Sequence, residues 1–235
     1  MNINNIHKNV GNNSIIQGVA KVNVYNIEND VEDIVSVSEE PMNLGKLKNE
    51  IKHYIESGEY ERQIEDVVKK AMKHIETIHH KVTNPAVVLD IDETALSNLK
   101  FYMDNNLHHD WQKWEQWKSG LHATAIKPVL ELYHLCKKLD VKVFFITGRK
   151  NSYDDVKNTV LNLEKEGFTN FDGIFFRKGD EAVGKHKLDS RKKIEEMGYT
   201  IIANVGDQMS DLEGGYAVKG FKIPNPIYYV PFSYK

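Results

Sequence analysis

Four short apolar runs, separated by stretches of helical period, constrain this chain more than any other feature. They cover residues 86–91, 141–146, 173–176 and 200–205. Between them apolar residues recur at helical spacing, notably over 129–139, 153–166 and 190–197. Short runs of this kind fit strands buried on both faces, and strand–helix alternation joins such strands in parallel. The expected fold is α/β, a doubly wound parallel sheet with helices on both faces.

The polar residues sit where the strands end. The first run breaks into Asp90 and Asp92, with Glu93 behind them. The second is followed by Thr147, Gly148 and Arg149, and the fourth by "GDQMSD", which holds Asp207 and Asp211. Ligands of open α/β sheets bind at the carboxyl ends of the strands. These groups, with a lysine from "KHKLD", therefore converge on one edge. Clustered carboxylates repel one another, which calls for a hard, oxygen-ligated divalent cation such as Mg²⁺. Mg²⁺ with Lys, Thr and unpaired backbone N–H groups makes a phosphate site. Two aspartates at a spacing of two permit divided labour. One can attack phosphorus, while the other protonates the leaving alkoxide and then deprotonates a water. Enzymes accelerate the hydrolysis of phosphate monoesters by up to about 10²¹-fold. A barrier of that size requires a metal, a positive clamp and an acid together.

Around this sheet the chain divides simply. Residues 1–43 are polar and weakly patterned, and read as a flexible arm with a short extended piece at "AKVNVYNI". Residues 44–235 form the catalytic domain. It opens on two helices, one carrying Leu44, Leu47, Ile51, Tyr54 and Ile55, the other Ile64, Val67, Val68, Ala71, Ile75 and Ile78; Ser57 and Gly58 interrupt them. An aromatic insertion, about 97–125, reads as a small cap over the carboxyl edge. Its Trp111, Trp114 and Trp117 recur every three residues as one stripe. The stripe is expected to pack the cap's own core, with stacking on a substrate ring as the alternative. His108 and His109 read as solvated loop, and His79 and His80 as partners of a helix's negative end.

With a formal charge of −3 over 235 residues, nothing favours nucleic acid or an anionic membrane as partner. The single cysteine, Cys136, excludes an internal disulfide and reads as a small buried hydrophobe. No apolar run approaches the roughly 18 residues of a membrane span. The Asn-rich start lacks the apolar block of a secretory signal. The expectation is a cytoplasmic protein, or a secreted one if a leader precedes this sequence.

"DIDET", "FFITGR", a lysine and "GDQMSD" are similar, in that order, to the four motifs of the haloacid dehalogenase superfamily. More narrowly, "VVLDIDETALSNLKFY", "GYTIIANVGDQMSDLEG" and "GFKIPNPIYYV" resemble the class C (plant and bacterial) acid phosphatase family. So does the helical "YIESGEYERQIEDVVKKAMKHIE" ahead of them, and the resemblance covers about 44–230. It implies Mg²⁺-dependent hydrolysis of a small phosphomonoester, nucleotides included, through an aspartyl-phosphate. Asp90 matches the nucleophile and Asp92 the acid/base, whose backbone carbonyl also reaches the metal. Thr147 matches the residue that hydrogen-bonds the transferred phosphoryl group, and Lys187 the charge-offsetting lysine. Asp207 matches the third metal ligand, and Asp211 a carboxylate that supports the site without binding the ion. Spacing to "SRKKIEEMGY" favours Lys187 over Lys185. Thr94 is left open between capping and function, Arg149 reads as structural, and Glu93 receives no role.

Ala95 and Phe101 depart from the family pattern, on the cap side, and bear on substrate preference. Phosphotransfer to an alcohol and a non-catalytic storage role are the alternatives. Some plant members serve storage and lack the nucleophile, so Asp90 argues for activity. Dehalogenation needs neither an acid at Asp92 nor a metal at Asp207, and both speak against it.

Overall fold

The computed structural model describes residues 42–231. The expected arm, with its extended piece, lies outside them except for residues 42 and 43. Asn43 starts α1 (Leu44–Glu56) by accepting hydrogen bonds from the backbone N–H groups of Gly45 and Lys46 at 2.9 and 3.2 Å. Gly58 then adopts φ 79°, a left-handed conformation that glycine reaches without steric cost, and the chain turns into α2 (Glu59–Ile78). Tyr60, Ile64, Val68, Ala71 and Ile75 of α2 bury one face against the sheet and its neighbouring helix.

The remaining elements follow as β1 (Pro85–Leu89), β2 (Leu96–Ser97), α3 (Leu99–Asp104), α4 (Trp111–Ser119) and β3 (Thr124–Ala125). Then come α5 (Lys127–Lys138), β4 (Lys142–Lys150), α6 (Tyr153–Lys165), β5 (Gly173–Arg177) and α7 (Val183–Glu196). The last are β6 (Thr200–Gly206), α8 (Met209–Leu212) and β7 (Gly220–Lys222). Five strands pair in parallel in the order β5-β4-β1-β6-β7. The chain runs outward from β1 through β4 and β5, then crosses to β6 and β7. That reversal beside β1 is the switch point at which such sheets open a ligand crevice. Alternate residues of β1 serve opposite layers. Val87 and Leu89 enter the larger apolar layer with α2 and α5, while Ala86 and Val88 meet Phe144, Ile146 and Ile194 on the other face.

Three features depart from the expected element list. A fifth strand, β7, joins the sheet with three residues, of which only Phe221 is buried, too short to carry an apolar run. Between β1 and α5 the chain forms α3 and α4, bracketed by an antiparallel ribbon that pairs Leu96 with Ala125 and Ser97 with Thr124. Helix α7 begins at Val183, well before the expected 190–197. Its inward face carries Lys187 and Arg191, so apolar periodicity is absent there. Arg191 is fully buried and donates to the carbonyls of Asp211, Glu213 and Gly215, which pins the loop after β6. Among the described residues no helix is long and apolar enough to cross a membrane.

Cys136 lies on the buried face of α5, and burial pushes its thiol up to about 12. At pH 8 the thiol is therefore neutral and shielded. Iodoacetamide at that pH is expected to leave Cys136 unmodified in the native protein and to label it fully in urea, as read by intact mass.

Candidate active site

The register of the sheet builds the site. Leu89 pairs with Phe145 of β4 and with Val205 of β6, so Asp90, Thr147 and Asp207 follow at nearly one level. Asp90 still donates its N–H to the Val205 carbonyl at 3.0 Å. Asp90, Asp207 and Asp211 then offer carboxylate oxygens within 4.8 Å of one another. Lys187 reaches up from α7 to Asp90 Oδ1 at 2.6 Å and pairs with Asp211 as well. Lys185 points outward, exposed, to Glu181 and Asp189. The second oxygen of Asp211 accepts from Gln208 N–H at 2.8 Å. Gly206 makes this possible: a Cβ there would stand 2.4 Å from the Asp211 side chain. Asp207 Oδ2 accepts from Gln208 Nε2 at 2.6 Å and Asn225 Nδ2 at 2.7 Å, and Oδ1 from Thr94 Oγ1 at 3.3 Å.

Three buried carboxylates thus cluster beside one ammonium, which pairs with Asp90 and Asp211. Burial pushes Asp90 well above the usual carboxylate range; Lys187 opposes the shift, and the charges of Asp211 and Asp207 add to it. Asp207 is raised for the same reasons, burial first and Asp211 next. A divalent cation reverses this balance by removing the surplus negative charge. The donor set is hard oxygen throughout and fits Mg²⁺.

Asp92 meets opposite surroundings. Arg149 grips it with two bonds, Nη2 to Oδ1 at 2.6 Å and Nε to Oδ2 at 2.9 Å, and Asn98 Nδ2 donates to Oδ1 at 2.8 Å. Burial favours the neutral acid, yet Arg149 and Asn98 together hold the carboxyl below its ordinary value. Arg149 is in turn fixed by Thr159 of α6, whose Oγ1 accepts from Nη1 at 3.0 Å. Arg149, read from sequence as structural, thus belongs to the site. Glu93 takes φ 55° and is fully buried. Its carboxylate accepts from Asn98 N–H at 2.6 Å and Tyr228 Oη–H at 2.9 Å. Burial pushes Glu93 up to about 8, with Asp92 and Asp207 adding to the shift. Thr94, left open above, points at Asp207. Asn98, Asn225 and Tyr228 were not foreseen. An amide or phenol carries no sign of its partner in the sequence, whether that partner is 6 residues away, as Asp92 is from Asn98, or 135, as Glu93 is from Tyr228.

A cavity of about 740 Å³ opens above these groups. Asp90, Asp92, Lys187 and Asp207 line it. Thr147 is buried behind the wall formed by Gly148 and Arg149, and its Oγ1 accepts from Arg149 N–H at 3.1 Å. The opposite wall is aromatic, with Tyr102, His109, Trp111, Trp114 and Tyr228. Two of the three tryptophans pack as the stripe predicts, since Trp114 and Trp117 share Phe101, and Trp111 does not. Trp111 is exposed at the cavity, Trp114 packs on Phe101 at 5.2 Å between centroids, and Trp117 donates its indole N–H to Asn98. His109 is packed between Tyr102 and the rings of Trp111 and Trp114 rather than solvated.

A parallel sheet that delivers two aspartates, a buried lysine and an acidic pair to one crevice defines a phosphate-handling enzyme of the haloacid dehalogenase type. The chain belongs to the haloacid dehalogenase superfamily, subfamily IIIB (acid phosphatase), whose family model matches residues 16–231. It is a phosphatase by that membership. It is 32% identical over 188 residues to acid phosphatase 1 of Solanum lycopersicum, spanning 77% of this chain and 73% of the relative. It is also 27% identical over 188 residues to vegetative storage protein 1 of Arabidopsis thaliana, spanning 76% of this chain and 68% of that one. Among solved structures, the class C acid phosphatase from Bacillus anthracis shares the fold, with a TM-score of 0.65 over 78% of this chain and 86% of that one at 20% identity.

Removing the guanidinium should expose how much Asp92 depends on it. Arg149→Met leaves a buried carboxylate without its main partner and is expected to cost about 3–5 kcal/mol in urea unfolding. Arg149→Lys should recover only part, since one ammonium cannot serve both Asp92 oxygens and Thr159 in the planar geometry they require.

Proposed function

We propose that this phosphatase hydrolyses small phosphomonoesters with Mg²⁺, through an aspartyl-phosphate on Asp90. The observation that carries the reading is the contrast between Asp90 and Asp92. Two residues apart, they face one cavity, one beside a lysine and two further carboxylates, the other in the fork of an arginine. By themselves the side chains leave Asp90 raised and Asp92 held down, so the two roles require a cation to draw Asp90 down and an arriving phosphate to draw Arg149 off Asp92.

In the first step an oxygen of Asp90 attacks phosphorus. The bond from phosphorus to the ester oxygen breaks, and Asp92 gives its proton to that oxygen as the alcohol leaves. In the second step Asp92 takes a proton from water, and the hydroxide attacks phosphorus. The bond to Asp90 breaks, inorganic phosphate leaves, and both aspartates return to their starting states. Lys187 offsets the charge of Asp90 and of the arriving phosphoryl group. Thr147 stands behind the cavity wall, where its oxygen accepts from the Arg149 N–H, so in this arrangement it supports the turn that carries Arg149 rather than meeting a phosphoryl oxygen. Asp90, Asp207 and the backbone carbonyl of Asp92 would hold Mg²⁺, which when bound neutralises phosphoryl charge and orients the ester for in-line attack. Asp211 stands within reach of the same ion; its supporting role is the one the family resemblance implies, with Lys187 and Gln208 holding its two oxygens. The aromatic wall suits an ester whose alcohol carries a ring, as nucleotides do.

The storage proteins among the relatives favour one rival, a fold retained without catalysis. An assay with p-nitrophenyl phosphate separates the two. Activity should vanish in EDTA and return with Mg²⁺; full activity in EDTA overturns the metal assignment, and none under any condition favours storage.

The two aspartates should fail differently. Asp90→Asn cannot form a covalent intermediate. Asp92→Asn should release a burst of nitrophenolate, because that leaving group needs no acid. Turnover should then slow by roughly 10²–10⁴-fold for want of a base. Intact mass should find a phosphorylated chain in Asp92→Asn alone. Indistinguishable mutants without adduct would leave the carboxylates as metal ligands only.

A further inference from the structure

Asn98 is fully buried, and each polar atom of its amide is assigned. Nδ2 donates to Asp92 Oδ1 at 2.8 Å and to Glu93 Oε2 at 3.3 Å, and Oδ1 accepts the Trp117 indole N–H at 2.9 Å. An indole N–H can only donate, so it requires the amide oxygen and leaves Nδ2 facing the two carboxyl groups. The partners therefore leave the amide one orientation. Trp117 comes from the cap helix α4, whereas Asp92 follows β1. The indole has its own anchors, packing on Phe101 at 5.8 Å and His122 at 5.2 Å between centroids. Helix α4 is also tied to α6 through Lys118 and Asp155, 2.6 Å apart and largely buried.

We propose that Trp117 is a positioning residue for proton transfer: through Asn98, the cap helix fixes where the Asp92 carboxylate stands. The inference rests on Asp92 as the acid/base, argued above. Asp92 has two supports on different parts of the chain. Arg149, braced by Thr159, holds it from the core side. Arg149 bonds both oxygens, and such a pair can swing as a unit. Asn98 supplies the third bond that stops the swing. Without the indole N–H, Asn98 Oδ1 is left buried and unsatisfied, and the amide turns to find another donor. Asp92 then loses a bond and its lateral constraint.

The consequence falls on one chemical step. An alkoxide leaving group needs the Asp92 proton at the right place, whereas nitrophenolate departs without it. Substrate binding, carried by the cavity floor, does not pass through Asn98.

The test uses the full chain with saturating Mg²⁺, an alkyl phosphate and p-nitrophenyl phosphate. Trp117→Phe keeps an aromatic ring and removes the N–H. For the alkyl ester, kcat should fall about 10- to 100-fold with KM changed by less than about twofold, while the nitrophenolate burst rate stays within about twofold. Asn98→Ala should show the same leaving-group dependence, and the double variant should be no slower than Asn98→Ala alone. Equal losses on both esters, a rise in KM alone, or effects that multiply in the double variant would overturn the proposal. If Trp117→Phe does not fold, 3-benzothienylalanine at position 117 keeps the shape with sulfur in place of N–H and carries the same expectation. Asp92→Asn run alongside separates two failures. If it shows no leaving-group dependence, the acid/base reading fails; if it does and Trp117→Phe does not, only the positioning role fails.

Discussion

A lysine buried among carboxylates is the interaction on which the site depends. Lys187 is nearly inaccessible to solvent, as are Asp90 and Asp211. Neither the ammonium nor the carboxylates could be buried alone, because the cost of desolvating an unpaired charge is several kcal/mol or more. Much of the surrounding architecture follows from that pairing. Helix α7 turns a polar face inward, Arg191 pins the loop after β6, and Gly206 gives up its side chain so that Asp211 can approach. The negative charge left over is what a divalent cation matches.

Asp90 and Asp92 show how far local surroundings separate two identical side chains. Spacing of two directs alternate residues of a strand to one side. The turn that follows, with Glu93 in the left-handed region, then lifts Asp92 toward Arg149 and Asn98. One carboxyl is pushed up by burial and its like-charged neighbours, the other held down by an arginine and an amide. Glu93 matters here as a brace. It gathers Asn98 and Tyr228 around the turn and holds a backbone conformation that few residues adopt willingly.

Strand–helix alternation made the sheet legible, since β1, β4, β5 and β6 announce themselves as apolar runs. The α1–α2 pair was equally plain, because Gly58 interrupts two clean apolar stripes. The same logic hid α7, whose buried face is Lys187 and Arg191, and β7, whose contribution is Phe221. At the site, the motif aspartates and lysine could be named because such chemistry permits few residue types. Arg149 could not, since a guanidinium bracing Asp92 and one lying on the surface look alike in a string of letters. The tryptophans misled in part, for a related reason. Spacing of three predicts a shared face, and Trp114 and Trp117 do share Phe101, but Trp111 meets solvent and the Trp117 N–H meets an amide.

The segment after β7 returns to the site it closes. Asn225 donates to Asp207, and Tyr228 donates to Glu93 across 135 residues of sequence. Both residues follow β7 directly, so a segment that lies beyond the last strand supplies them. The Tyr228 contact closes a loop of 135 residues and so costs more chain entropy than the nearby Asn225 one. The geometry of the site thus depends on a tail that lies beyond the last strand, so damage there reaches the Asp92 turn without first breaking the sheet.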